Sequence, residues 1–257
     1  MPTNSDILNN AEQFRSKMFG GYESALSYTD PEFVQIFENF AFGDVVSASK
    51  IDDKARLKAI LAALIGAQGA DAFRTMLPGA LEIGVTPDEV KEIVYQATPY
   101  VGLARVLPYI LIVNERLRGR SIRLPLSPKK TTTRAEHLQR GNDIQVEVFG
   151  EHMRDNWVDA SAETALVREW AAANCYGDYY TREGMSIADR EMITLCFLAA
   201  MGGCEEQLRA HVAGNIRLGN DKEFLVDVLQ NLIPYIGYPR VMNAIACVEA
   251  AAAEMEQ

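Results

Sequence analysis

The sequence holds no apolar run approaching the roughly 20 residues of a membrane-spanning helix, so no membrane partner is expected. Positive charge is also short, with 25 Lys and Arg against 35 Asp and Glu, and a net charge of −10 repels a phosphate backbone. Nucleic acid is therefore excluded as an expected partner. The four cysteines, Cys175, Cys196, Cys204 and Cys247, lie in the second half and form no CxxC, so neither a disulfide framework nor a structural metal site is expected. Met1 to Asp6 carry no basic stretch leading into an apolar one, so no signal peptide is read and a cytoplasmic location is the expectation. No GxGxxG, P-loop or GxSxG motif occurs, and no cofactor is implied. Strand signals are nearly missing. What is there, 48% hydrophobic and 23% charged residues over 257 positions, suits a globular protein of one large domain or two ordinary ones.

A shift of 135 positions decides between them. It lays Arg74 on Arg209, Gly79 on Gly214, Gly84 on Gly219, Pro99 on Pro234, Tyr100 on Tyr235, Gly102 on Gly237, Arg105 on Arg240 and Val106 on Val241. These eight identities fall within 33 gapless positions, where about two are expected by chance. The chain reads as two copies of one unit, residues 1–118 and 135–257, joined by a solvated linker over 119–134 that contains Pro125, Pro128, Lys129, Lys130 and Arg134.

Each unit reads as helices. Met192, Ile193, Leu195, Cys196, Leu198 and Ala199 keep the spacing of a buried helix, interrupted by Gly202-Gly203. A second helix runs from about Cys204 to Leu218 and stops at Gly219, and a third from Asp221 or Lys222 to about Leu232. In the first unit Thr86-Pro87-Asp88-Glu89 is a helix start with Thr86 as N-cap and Glu89 at N3. Ile110 to Val113 falls within a helical pattern from Val106 to Arg118. The expected fold class is all-α.

Chemistry is sought at unusual residues. His211 lies on a helix, and Glu191 opens the preceding one, where its bland role is to complement a helix dipole and its functional role is to orient His211 across the Gly-Gly turn. Cys204 sits at a helix start, which favours a thiolate. Opposite His211, Cys204 and Gln207 the first unit has Met76, Gly69 and Ala72, and near Glu191 it has Ala55 and Arg56. The first unit thus lacks the polar set, and chemistry is expected in the second.

Five segments in order carry a resemblance: Val148 to Met153, Cys175 to Met185, Arg190 to Leu195, Glu205 to His211, and Tyr235 to Pro239. They resemble the motifs of carboxymuconolactone decarboxylase, with a fainter copy in Phe42-Gly43-Asp44 and Tyr100-Val101-Gly102, so the chain resembles a tandem member of that family. The resemblance implies two tandem helical units of the alkylhydroperoxidase D-like kind, a small-molecule substrate, and a homo-oligomer, a trimer of tandem chains or a dimer. Its decarboxylase members remove carbon dioxide from 4-carboxymuconolactone without a cofactor. His211 matches the family histidine as acid–base group, and Arg182, Arg190 and Tyr235 stand in matched segments as substrate contacts. The peroxidase-like branch uses a CxxC pair; Cys204 matches its first thiol and Gln207 replaces the second. Tyr176 and Tyr180 stand where tryptophans are usual, and Glu183 replaces a proline.

A lyase of this family with His211, Glu191 and Cys204 as its reactive set is the leading expectation. A thiol-dependent peroxidase using Cys204 and a catalytically silent helical assembly protein are the alternatives.

Overall fold

The computed structural model describes residues 4–21 and 24–256, and among these there are helices and no strands. The first half opens with α1 (Asn4–Phe19) and short helices that lead into a π-helical stretch, Asn39–Asp44. Four longer helices follow: α2 (Asp53–Gly66), α3 (Ala70–Ile83), α4 (Pro87–Val101) and α5 (Leu103–Gly119). The second half repeats the order with α6 (His137–Phe149), a π-helical stretch Ala171–Tyr180, α7 (Ile187–Met201), α8 (Glu205–Arg217), α9 (Lys222–Asn231) and α10 (Tyr238–Met255). No described helix is long and apolar enough to cross a membrane.

Local chemistry sets the helix ends. Thr86 accepts from the Glu89 amide while the Glu89 carboxylate reaches back to the Thr86 amide, closing the capping box read from the sequence. Asp52, Ser186 and Asp221 cap α2, α7 and α9 from one side only, each side chain accepting from the amide three residues on. The caps also correct the register of the repeat. Asp52 and Ser186 occupy equivalent positions and are 134 residues apart, so the extra residue lies between α7 and α8. Leu57, not Arg56, therefore corresponds to Glu191, and Arg56 corresponds to Arg190.

The two copies share one core. α2 is buried continuously from Ala55 to Gly66 and α7 from Arg190 to Ala200, as befits helices surrounded on every side. They lie side by side in the same direction, with Lys58 paired to Asp189 at 2.6 Å near their starts and Gly66 against Phe197 near their ends. A methyl group on Gly66 would stand 2.6 Å from the Phe197 carbonyl oxygen, so no larger residue fits this crossing.

The Phe-Gly-Asp and Tyr-Gly-Asp motifs owe their glycines to a second crossing. A methyl on Gly177 would lie 2.0 Å from the His137 carbonyl and one on Gly141 1.9 Å from the Ala172 carbonyl, so α6 and its π-helical stretch touch backbone to backbone. Gly43 meets Ile7 on α1 in the corresponding way. Gly177→Ala is expected to cost about 3 kcal/mol, because backbone cannot yield as a side chain would; urea unfolding of the variant measures it.

The connector is exposed along most of its length, as its composition suggests, but it is tied down rather than free. Thr132 is buried and donates to the Gly177 carbonyl at 2.9 Å, Thr131 donates to the Thr181 carbonyl at 2.6 Å, and the Glu183 amide donates to the Lys129 carbonyl. Lys129 pairs with Asp88 at 3.0 Å. The linker is thereby held against both halves.

Candidate active site

Glu191 and His211 meet inside the second half. The turn after α7 folds α8 back, and His211 Nδ1 lies 2.8 Å from Glu191 Oε2 with both side chains almost wholly buried. Gly214 permits this approach, since a methyl there would crowd the same carboxylate oxygen at 3.1 Å. Asn215 locks the two helices by donating to the Glu191 carbonyl at 3.0 Å and the His211 carbonyl at 2.8 Å. Asn220 holds Asn215 in turn, at 2.9 Å.

The other carboxylate oxygen is served by tyrosines. Tyr180, at the end of the π-helical stretch, donates to Glu191 Oε1 at 2.5 Å. Its hydroxyl also lies 2.9 Å from the Tyr100 hydroxyl and 3.0 Å from that of Thr194, and the Cys175 thiol donates to Tyr100 at 3.7 Å. A phenol has one proton and two lone pairs. With the Tyr180 proton committed to the carboxylate, Tyr100 and Thr194 must be donors to Tyr180. The hydrogen bonds therefore run one way, from Cys175 through Tyr100 and Tyr180 to Glu191.

Electrostatics keep this chain neutral up to the carboxylate. Burial, followed by the neighbouring ionisable groups, pushes Tyr100, Tyr176 and Tyr180 well above the usual phenol range. Burial likewise pushes Cys175 up to about 12. Glu191 thus faces the Tyr180 hydroxyl on one oxygen and His211 Nδ1 on the other, which fixes the orientation of the imidazole. Nε2 makes no hydrogen bond among the described residues. A ring anchored at one nitrogen and open at the other is the arrangement of a proton carrier. Edge-on rings of Tyr100 and Phe149, with centroids 5.5 and 5.2 Å from the imidazole, wall this site. Tyr100 belongs to α4, so the first half completes the site of the second.

The remaining candidates lie elsewhere. Arg190 is fully buried, and its guanidinium donates to Glu92 at 2.9 Å, Gln96 at 3.1 Å and the Arg182 carbonyl at 2.8 Å. Arg182 forks onto Glu92 from the other side. With Glu92, Gln96 and the Arg182 carbonyl occupying its terminal nitrogens, Arg190 is a strut between the halves. Its counterpart Arg56 does the same in reverse, donating to Asn231 at 2.8 Å. A feature present in both copies cannot account for chemistry assigned to one.

Cys204 is set apart from His211, in a small pocket with Arg240, and its thiol donates to the Leu198 carbonyl at 3.5 Å. Partial burial first, and then Glu205, raise its pKa, which outweighs the helix-start effect expected from position alone. Tyr235 lines a cavity in the first half. Among the described residues no three His, Cys, Asp or Glu side chains gather as a metal cage.

Tyr100, Tyr180, Thr194 and Cys175 escaped the sequence reading as members of the site. All four lie in segments that resemble the family motifs or recur in the repeat, and Tyr180 also stands where the resembling family has tryptophan.

The family model described as carboxymuconolactone decarboxylase family matches residues 31–114 and 165–250, about two thirds of the chain. No curated protein matches. Among solved structures, a proposed gamma-carboxymuconolactone decarboxylase subunit from Burkholderia xenovorans LB400 aligns over 99% of this chain and 99% of its own, with a TM-score of 0.54 and 19% identity.

Proposed function

The chain belongs to the carboxymuconolactone decarboxylase family, and on that premise we propose that it is a cofactor-independent enzyme, most simply a decarboxylase of a small carboxylated lactone, with His211 as proton carrier. The observation that carries this reading is the anchored imidazole, with Nδ1 on Glu191 and Nε2 open. In the proposed step the bond between the substrate carbon and its carboxylate breaks, carbon dioxide leaves, and the electron pair moves toward the lactone carbonyl. Protonated His211 then delivers its Nε2 proton to the carbon alpha to the lactone carbonyl, leaving the carbon that held the carboxylate in the enol-lactone double bond, and a solvent proton restores the imidazolium. Glu191 offsets the charge of the imidazolium throughout. Tyr180 and Tyr100 position Glu191 and stay protonated.

Mixing the protein with 4-carboxymuconolactone and following ultraviolet absorbance tests the substrate. Protein-dependent decay is expected, and no turnover at high enzyme concentration would remove that substrate.

The thiol-peroxidase alternative finds little support, because burial raises Cys175, Cys196 and Cys204 alike. A raised pKa means that thiolate accumulates only at higher pH. Alkylation of Cys204 in the native protein is therefore expected to keep accelerating through about pH 8.5, the ordinary thiol pKa. A plateau below neutral pH would revive the thiol reading.

A further inference from the structure

The first half keeps the geometry of the His211 site with the polarity removed. Leu57 stands in the place of Glu191, Met76 of His211, Phe42 of Tyr176, Val46 of Tyr180 and Ile60 of Thr194. Each polar member has become apolar while the helices and the π-helical stretch that carry them are retained. The result is a cavity of about 420 Å³, within the range of small-molecule sites, lined mainly by apolar side chains such as Phe37, Phe42 and Met76, together with Tyr235, the ion-paired Arg15 and Glu38, and Asp71.

Tyr235 is the exception to the loss of polarity. It is the counterpart of Tyr100 and is lent by the second half, as Tyr100 is lent by the first. Its ring meets Phe37 edge-on at 5.8 Å. The Tyr100 hydroxyl is engaged by Tyr180, but Val46 offers nothing to Tyr235, whose hydroxyl has no hydrogen-bond partner among the described residues. Burial raises its pKa, so it remains a neutral donor. A phenol with no protein partner, at the wall of a largely apolar cavity, can donate its hydrogen bond to an acceptor on a ligand.

We propose that this cavity is a second, non-catalytic binding site for a small uncharged ring compound bearing a single carbonyl, which accepts a hydrogen bond from Tyr235. A charged carboxylate is disfavoured there, because the Arg15 guanidinium on the lining is already paired with Glu38 at 3.2 Å and Asp71 adds a second carboxylate. The site differs from that of His211 in location, in lining and in having no proton carrier.

Acetophenone and its near-isostere α-methylstyrene, which replaces the carbonyl oxygen by a methylene, are the probes, with binding measured by ligand-observed NMR. The wild type is expected to bind both saturably. Tyr235→Phe should weaken acetophenone about fivefold, the loss of one neutral hydrogen bond, and leave α-methylstyrene unchanged. Ala72→Trp, at an exposed position of α3 on the cavity wall, should abolish both while circular dichroism stays unaltered. Absence of saturable binding, undiminished binding in Ala72→Trp, or equal weakening of both probes in Tyr235→Phe would overturn the proposal. Binding that emerges only on dilution would show a second copy of the chain to be the occupant, and would overturn it as well.

Discussion

His211→Gln is expected to lower kcat on the proposed substrate by about 10²–10⁴, the usual contribution of a positioned proton carrier. Glutamine is the informative replacement. Its amide can still donate to Glu191, so the buried carboxylate is not left with Tyr180 alone, yet it cannot exchange a proton near neutral pH. The variant therefore separates chemistry from folding, and its thermal midpoint should stay close to that of the wild type. Alanine would confound the two by stranding a buried charge. Stopped-flow or absorbance kinetics on both proteins provide the comparison. A loss confined to KM would identify His211 as a binding residue only.

Glu92→Leu is expected to have the largest effect on stability. Glu92 is almost wholly buried and takes both Arg182 and the fully buried Arg190, whose Nε already lacks a partner. Deleting the carboxylate leaves a buried guanidinium with neutral acceptors only. Breaking a buried pair from one side costs about 3–5 kcal/mol, and at this chain length that corresponds to a fall of about 10 °C in Tm. Adding Arg190→Met to Glu92→Leu should recover part of the loss, since the uncompensated charge goes with it. Calorimetry of the single and double variants measures both. An unchanged Tm in the single variant would show that the Glu92 network does not hold the halves together.

The two predictions address features that differed in how far the sequence revealed them. The repeat, the capping box at Thr86 and the stop at Gly219 were legible because glycine, proline and capping side chains act over a few residues. Glu191 and His211 were legible as candidates because they lie one helical turn-back apart and are missing from the other copy. The equivalence of Arg56 and Arg190 was hidden for a geometrical reason. A single extra residue before α8 shifts the register, so Arg56 was set against Glu191 when it is the partner of Arg190, and the duplicated strut was hidden. Tyr100 and Tyr180 reach Glu191 from segments distant in sequence, which no local spacing can report. Cys204 shows the limit of position as a guide to acidity, since the helix start favours thiolate and burial beside Glu205 outweighs it.

The tautomer of His211 tests the account most directly, because it needs no substrate. The donors on Glu191 require the proton of the neutral ring to sit on Nδ1 and the lone pair on Nε2. ¹⁵N NMR of histidine-labelled protein, with the signal assigned by its loss in His211→Gln, distinguishes the two nitrogens. The predicted spectrum, at a pH where the ring is neutral, shows a protonated Nδ1 and an unprotonated Nε2. An Nε2-protonated tautomer would contradict the anchoring by Glu191, and with it the role proposed for His211.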